Sequence, residues 1–310
     1  MTAARKIIQD HERQLINRPF ADAQPAMPLP AARLIVERAL KLWDAPDAAS
    51  ALSRRDDMES RFPDGATVDA YWHEQAGTPF TQFFAWGHDH DFGHDIVRRG
   101  AMGVRHKEIT SEAIAMGLLP FDLEDKSVLD IGCWTGGDAL VLAGLGATVT
   151  ALEEHPISAA AASHLASVIG CPVTVAHGSL YADRREWQGA FDVVYCSGVL
   201  YHVTDPLLFL RICFAYLKPG GRLVIETKAD SAAGSSCGYS GTMEKGWNWF
   251  APTREAMGRL LVDAGFPVEG VTLHWRPIGR LLAGALKNGP ARLPENAGFS
   301  RPGSWLTGLV

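Results

Sequence analysis

Asp130, Gly132, Gly136 and Glu153 are the residues whose types and spacing point most directly to chemistry. The first three form Asp130-x-Gly132-x-x-x-Gly136, which follows an apolar run ending at Ile131. Glycine lets a backbone turn tightly and lets a ligand approach with no Cβ in the way. This spacing is neither the G-x-G-x-x-G of dinucleotide folds nor the G-x-x-x-x-G-K-[ST] of phosphate loops. An acid placed before the first glycine would repel a pyrophosphate and suits a cationic or amino-acid-bearing group. Glu153 stands 23 residues beyond Asp130, at the end of Thr148-Val-Thr-Ala-Leu152. A carboxylate there can accept both hydroxyls of a ribose. Together these residues describe a nucleoside site rather than a phosphate cradle.

A second chemically dense stretch is Gly87-His-Asp-His-Asp-Phe-Gly-His94. His88, His90 and His94 invite a metal reading, but they alternate with acids on no settled element, and no metal is expected. The aromatics around them, Trp86 among them, suit a cover that excludes water and grips an apolar substrate. Trp86 and His88 are therefore candidate substrate contacts.

The elements that must position these groups follow from periodicity. Val128 to Ile131 reads as a buried strand, and Asp138 to Gly144 as a helix that starts at once behind the glycine turn. Such a strand, turn and helix N-terminus make a nucleotide-binding corner. Further strands are expected at 148–153, 171–176, 191–196, 222–227, 268–275 and 280–285. Pro156 and Pro206 open helices where a missing N–H costs nothing, and Asp205 (or Thr204) and Thr253 are helix caps. Ahead of the corner, Arg105 to Met116 reads as a helix ending at Gly117. Residues 31–43 read as one amphipathic helix, 18–30 as a proline-rich linker and 44–69 as a charged loop. The expected fold is an α/β, Rossmann-like, doubly wound seven-stranded sheet, mostly parallel with an antiparallel last strand. Residues 1–104 are read as a helical and aromatic appendage acting as lid, 105–287 as the catalytic domain, and 288–310 as a tail folding back on it.

The order of the motifs resembles the class I S-adenosylmethionine-dependent methyltransferases. Gly198-Val-Leu-Tyr-His202, Asp205-Pro-Leu, Gly221-Arg-Leu-Val-Ile-Glu-Thr227 and Trp247-Asn-Trp-Phe-Ala-Pro-Thr253 narrow it. They are similar to the tRNA wobble-uridine carboxymethyltransferases and their small-molecule relatives, over roughly residues 120 to 267. The resemblance implies S-adenosyl-L-methionine as cofactor and S-adenosyl-L-homocysteine as product. It places Asp130, Gly132, Cys133, Trp134, Gly136, Glu153, Glu154, Ser179, Leu180 and Ser197 around the cofactor. Many relatives carry an acid where Ser179 stands, so the adenine contact here falls to a hydroxyl or the backbone. His202 becomes the candidate general base, since a histidine with a pKa of about 6.5 suits removal of a hydroxyl proton. Tyr201 would orient the acceptor, and Trp247, Trp249 and Arg301 would bind it.

Composition bounds the partners. A net charge of −6 gives no broad footprint for nucleic acid. The five cysteines form no CxxC pair, which suits reduced thiols. No stretch of about 18 apolar residues occurs, so a cytoplasmic chain without a membrane partner is expected, acting alone or as a homo-oligomer. The reading carried forward is methylation of a small-molecule acceptor, at oxygen, in secondary metabolism. Its alternatives are tRNA wobble-uridine modification with carboxy-S-adenosylmethionine, and a catalytically silent cofactor-binding partner subunit.

Overall fold

Phe20, 9% exposed, draws the segment read as a linker into the structure. Arg254 donates to its carbonyl at 3.0 Å and pairs with Asp22 at 2.6 Å, and Ala21–Asp22 becomes a short strand, β1. This computed structural model describes residues 20–71, 79–182, 184–240, 248–277 and 279–289. The chain forms two compact units, Pro25–Ser197, and Gly198–Val310 with Met1–Gln24.

The unit of residues 25–197 opens with α1 (Leu29–Lys41) and α2 (Ala48–Arg61). The second helix corrects the expected charged loop over 44–69. Asp47 caps it by accepting from the Ser50 N–H at 2.7 Å, Arg61 pairs with Asp57 one turn back, and Ala51 and Met58 are buried. Its charges therefore mark a solvated helix face rather than a loop. Two small hairpins follow, β2 (Thr67–Tyr71) with β3 (Pro79–Phe83) and β4 (His90–Asp91) with β5 (Val97–Arg98). Helix α3 (Arg105–Ala115) ends before Gly117, which has φ +66°.

The expected core strands then appear in turn: β6 (Ser127–Ile131), β7 (Thr148–Glu153), β8 (Val173–His177) and β9 (Phe191–Ser197). Helices α4 (Gly137–Gly144) and α5 (Pro156–Ile169) separate the first three. All pairings here are parallel, in the order β9-β6-β7-β8. The chain steps outward from β6 to β8 and returns to the other side of β6 with β9. That reversal opens a crevice at the carboxyl end of β6, where ligands bind in such sheets. Helix α1 packs on α3 and α4, and α2 on α5, so 25–104 and 105–197 share one unit.

In the other unit α6 (Pro206–Tyr216) starts at Pro206 behind the Asp205 cap. Strand β10 (Leu217–Lys228) begins earlier than expected and carries Lys218-Pro-Gly-Gly221 within it. β11 (Cys237–Tyr239) pairs antiparallel with β12 (Phe250–Pro252). Thr253 caps α7 (Arg254–Asp263), accepting from the Ala256 N–H. β13 (Val271–Arg276) and β14 (Arg280–Leu286) close the set. β14 is antiparallel to both β10 and β13, while β1 runs parallel to β13. The seven expected strands thus all form, the last one antiparallel, and β1 is an addition. No helix among the described residues is long and apolar enough to cross a membrane.

Candidate active site

The turn after β6 is built by residues that take a left-handed backbone. Gly132 has φ +71°, Trp134 +49° and Gly136 +85°. A tryptophan in that region is held there by its surroundings. The Gly132 N–H donates to the Leu152 carbonyl at 2.8 Å, which ties the turn to the end of β7. Glu153 completes the tie: its Oε2 accepts from the Trp134 N–H and its Oε1 from the His155 N–H, both at 2.8 Å. The carboxylate is thereby fixed in place while each oxygen keeps a lone pair. Burial pushes its pKa up, against those two N–H groups. The Gly178 N–H donates to the Glu153 carbonyl at 2.9 Å, which brings half-buried Ser179 and buried Leu180 close after the end of β8. Glu154 is exposed. Ser197 ends β9 one residue past Cys196, which is in register with Ile131.

Asp130 is 1% exposed, and its Oδ2 has no hydrogen-bond partner. Burial, then Asp138 and Glu153, push its carboxyl well above the usual range. Asp138, at the start of α4, accepts from Thr110 at 3.1 Å and from the Tyr195 hydroxyl at 3.2 Å. A buried carboxylate that lacks a partner among other carboxylates calls for a cation. S-adenosylmethionine fits this donor set: Asp130 would hold a cationic group of the cofactor and Glu153 its ribose hydroxyls.

The histidine run serves the same turn by clamping it from behind. The Gly137 N–H, at the head of α4, donates to His88 Nδ1 at 3.2 Å. The Thr135 hydroxyl accepts from the Gly87 and His88 N–H groups at 3.1 and 3.3 Å and lies 3.2 Å from His90 Nε2. His94 Nε2 instead meets the Ala45 carbonyl at 3.0 Å. Burial holds the His88 pKa at about 4 and the His90 pKa at about 3, so both rings are neutral, as the accepting Nδ1 of His88 requires. His88 therefore holds the turn rather than facing a substrate as expected. Trp86, also expected at the substrate, is 1% exposed and donates its indole N–H to the Phe62 carbonyl at 2.9 Å, so it packs in the core. Among the described residues no group of His, Cys, Asp or Glu has metal-holding geometry. Thr135 and Gly87 were missed from sequence. They meet only across 48 positions, which no local pattern reports.

These neutral rings carry a pH signature. The unfolded chain protonates each histidine near 6.5, well above the folded values. Stability that needs them neutral is complete above that pH and is lost as pH falls toward the folded values. Asp130 and Glu153, pushed up by burial, have the opposite sign: their contribution is present at low pH and lost as pH rises. His106, 2% exposed and 4.8 Å from the His88 ring, is likewise held well below its ordinary value by burial, and His106→Phe isolates its share. As pH falls below 6.5 the variant should lose less stability than the parent, by a slope that approaches ~1.4 kcal/mol per pH unit about one unit lower, measured by urea unfolding. Equal slopes would contradict the neutral buried ring.

Tyr201, His202 and Trp249 belong to the other unit. Tyr201 and His202 lie on a 3-10 turn, their ring centroids 4.1 Å apart, and His202 is exposed. The Trp249 N–H donates to the Tyr201 carbonyl at 2.7 Å. Arg280 stacks its guanidinium over the Tyr201 ring at 4.8 Å. Glu226, 1% exposed, holds Arg280 through two bonds and Arg276 at 3.0 Å. Trp247 and Arg301 lie outside the described residues. Four of the five cysteines are buried and none is in a disulfide.

The comparisons agree with this geometry. The methyltransferase domain family matches residues 106–270, more than half of the 310. A ubiquinone biosynthesis O-methyltransferase of Vibrio parahaemolyticus is 38% identical over 104 residues, 33% of this chain and 43% of that protein. Its counterpart in Azotobacter vinelandii is 36% identical over 107 residues, 34% of this chain and 45% of that protein. The matches thus span under half the length of these relatives. The N-terminal domain of EvdMO1, solved in the presence of S-adenosylhomocysteine and D-fucose, shares the fold with a TM-score of 0.51 and 17% identity. That likeness covers 77% of this chain and 97% of that one. The chain belongs to the methyltransferase domain family, as a class I domain built around S-adenosylmethionine.

Proposed function

We propose that the protein transfers a methyl group from S-adenosylmethionine to an oxygen of a small-molecule acceptor. The observation that carries the reading is the pair of acids at the turn: Glu153 held by two backbone N–H groups, and Asp130 buried with an oxygen unpaired. Oxygen as the acceptor atom rests on the curated relatives, which are O-methyltransferases by name. The net charge of −6 favours a small acceptor over tRNA.

When bound, the cofactor supplies an activated methyl group. The chain's part is to hold the reactants in line, which can account for a large share of the acceleration, and to take the acceptor's proton. His202 is the proposed general base. It is exposed, it follows β9 by five residues, and its neighbour Tyr201 is held by Arg280 and Trp249. Tyr201 orients the acceptor. His202→Ala should lower turnover by about a hundredfold or more with unchanged affinity for S-adenosylhomocysteine, and the loss should shrink as pH rises and the acceptor ionises unaided. The experiment is S-adenosylhomocysteine release from S-adenosylmethionine over a panel of phenols, sugars and hydroxy acids, with bulk tRNA in parallel. Turnover on a hydroxyl acceptor supports the proposal. Turnover on tRNA alone, or full activity of His202→Ala, refutes the acceptor or the base respectively.

A further inference from the structure

A cavity of about 280 Å³ lies in the unit of residues 25–197, behind the glycine turn rather than in front of it. Its wall includes Gly137 and His90, so the clamp of the cofactor corner forms one side of it. Its floor is apolar: Phe92, Leu140 and Leu165 are 1%, 7% and 1% exposed. His106 also lines it, 2% exposed, with Nδ1 buried and without a hydrogen-bond partner.

The rest of the lining is charged in both signs. Lys41 and Lys107 face it, as do Asp44 and Asp91, with Glu37 at the rim. Among the described residues no ion pair within 4.0 Å joins either lysine to either aspartate. Burial, then Asp91, raises the Asp44 carboxyl, so the two acids repel each other across the space. The other charges felt by Asp44 come from Lys41, His94 and Lys107, and all favour its ionised form. The ammonium groups of Lys41 and Lys107 and the carboxylates of Glu37, Asp44 and Asp91 thus surround an apolar floor, while Asp89, which also lines it, is paired with Arg99 at 2.6 Å. Lys41, Asp44 and Asp91 are exposed at its mouth and Lys107 is half-buried, so a guest carrying both charges exchanges their water for direct charge-assisted contacts above the apolar floor.

We propose that this cavity is a second binding site, distinct from the cofactor corner, for a small zwitterion with an apolar side chain: a free α-amino acid. Its ammonium sits between Asp44 and Asp91, and its carboxylate reaches Lys107 and Lys41. Its side chain covers Leu140, Leu165 and Phe92, and His106 Nδ1 offers one further hydrogen bond. The volume suits a side chain of four or so heavy atoms, since a water occupies about 30 Å³ of liquid.

The test is calorimetric titration of the full chain with L-leucine, with S-adenosylhomocysteine saturating so that the cofactor corner is filled. L-leucinamide, which lacks the carboxylate, and 4-methylvalerate, which lacks the ammonium, are titrated alongside. One-to-one binding of L-leucine is expected, with each analogue weaker by about tenfold or more. Asp44→Asn and Lys107→Met should each weaken L-leucine by a similar factor and leave S-adenosylhomocysteine binding unchanged. Four results would overturn the site: no binding of L-leucine, equal binding of either analogue, indifference to both substitutions, or binding that vanishes when S-adenosylhomocysteine is present. Affinity for S-adenosylhomocysteine is measured first, so failure of the cofactor corner registers separately.

Discussion

Glu153→Ala is expected to weaken S-adenosylmethionine binding by well over tenfold and to lower the melting temperature of the free protein. Two losses combine. The variant has no acceptor for the ribose hydroxyls, and a hydrogen bond to a charged group contributes about 1.5–3 kcal/mol; tenfold in affinity is about 1.4 kcal/mol. It also leaves the Trp134 and His155 N–H groups without their acceptor. Trp134 then has nothing at its amide to hold a positive φ of 49°, and the turn loosens before any ligand arrives. Glu153→Gln separates the two losses, because the amide oxygen still accepts from one of those N–H groups. It should recover part of the melting temperature and little of the affinity. Calorimetry and thermal unfolding on the same preparations read both. Unchanged affinity in Glu153→Ala would remove Glu153 from the ribose site.

Gly137→Ala should be strongly destabilising and should weaken the cofactor corner with it. A Cβ there would lie 2.5 Å from His88 Cγ and 2.6 Å from Nδ1, inside any tolerable contact. The ring cannot yield without cost, since it packs 4.8 Å from His106 and 5.9 Å from Trp134. Its displacement breaks the bond from the Gly137 N–H and uncaps α4 behind the glycine turn. Overpacking of this kind costs about 1–3 kcal/mol, and the lost cap adds about 1 kcal/mol. Stability should fall by the sum, seen in urea unfolding, and affinity for S-adenosylhomocysteine should fall with it. Gly137→Ala combined with His88→Ala, which makes room, should regain packing but not the cap. A single variant as stable as the parent would show that His88 does not clamp the turn.

The contrast between these two residues explains how much the sequence revealed. The place of Glu153 at the end of β7, beside the glycine turn, was legible because it depends on local order: an apolar strand, an acid at its end, and a fixed distance from Asp130. The strands, the Asp205 and Thr253 caps and the prolines at helix starts share that property. His88 was visible as a residue and misread in its role, because its partners are Thr135 and Gly137, 47 and 49 positions away. A run of alternating histidine and aspartate resembles a ligand set until something fixes its direction, and here that something is a glycine turn elsewhere in the chain. Helix α2 was missed for a different reason. Its buried positions are few, Ala51 and Met58, so the amphipathic signal was drowned by charged residues that pair along its outer face. Strand β1 is two residues long and gains its partner, β13, from the far end of the sequence. Tyr201 and His202 were legible as a motif, while the support of Tyr201 by Arg280 and Glu226 spans 79 and 25 positions and was not.

The most direct test is calorimetric titration of the purified protein with S-adenosylmethionine and S-adenosylhomocysteine. One-to-one binding of both is expected, lost in Glu153→Ala. No binding of either by a folded protein would contradict a cofactor corner at Asp130 and Glu153.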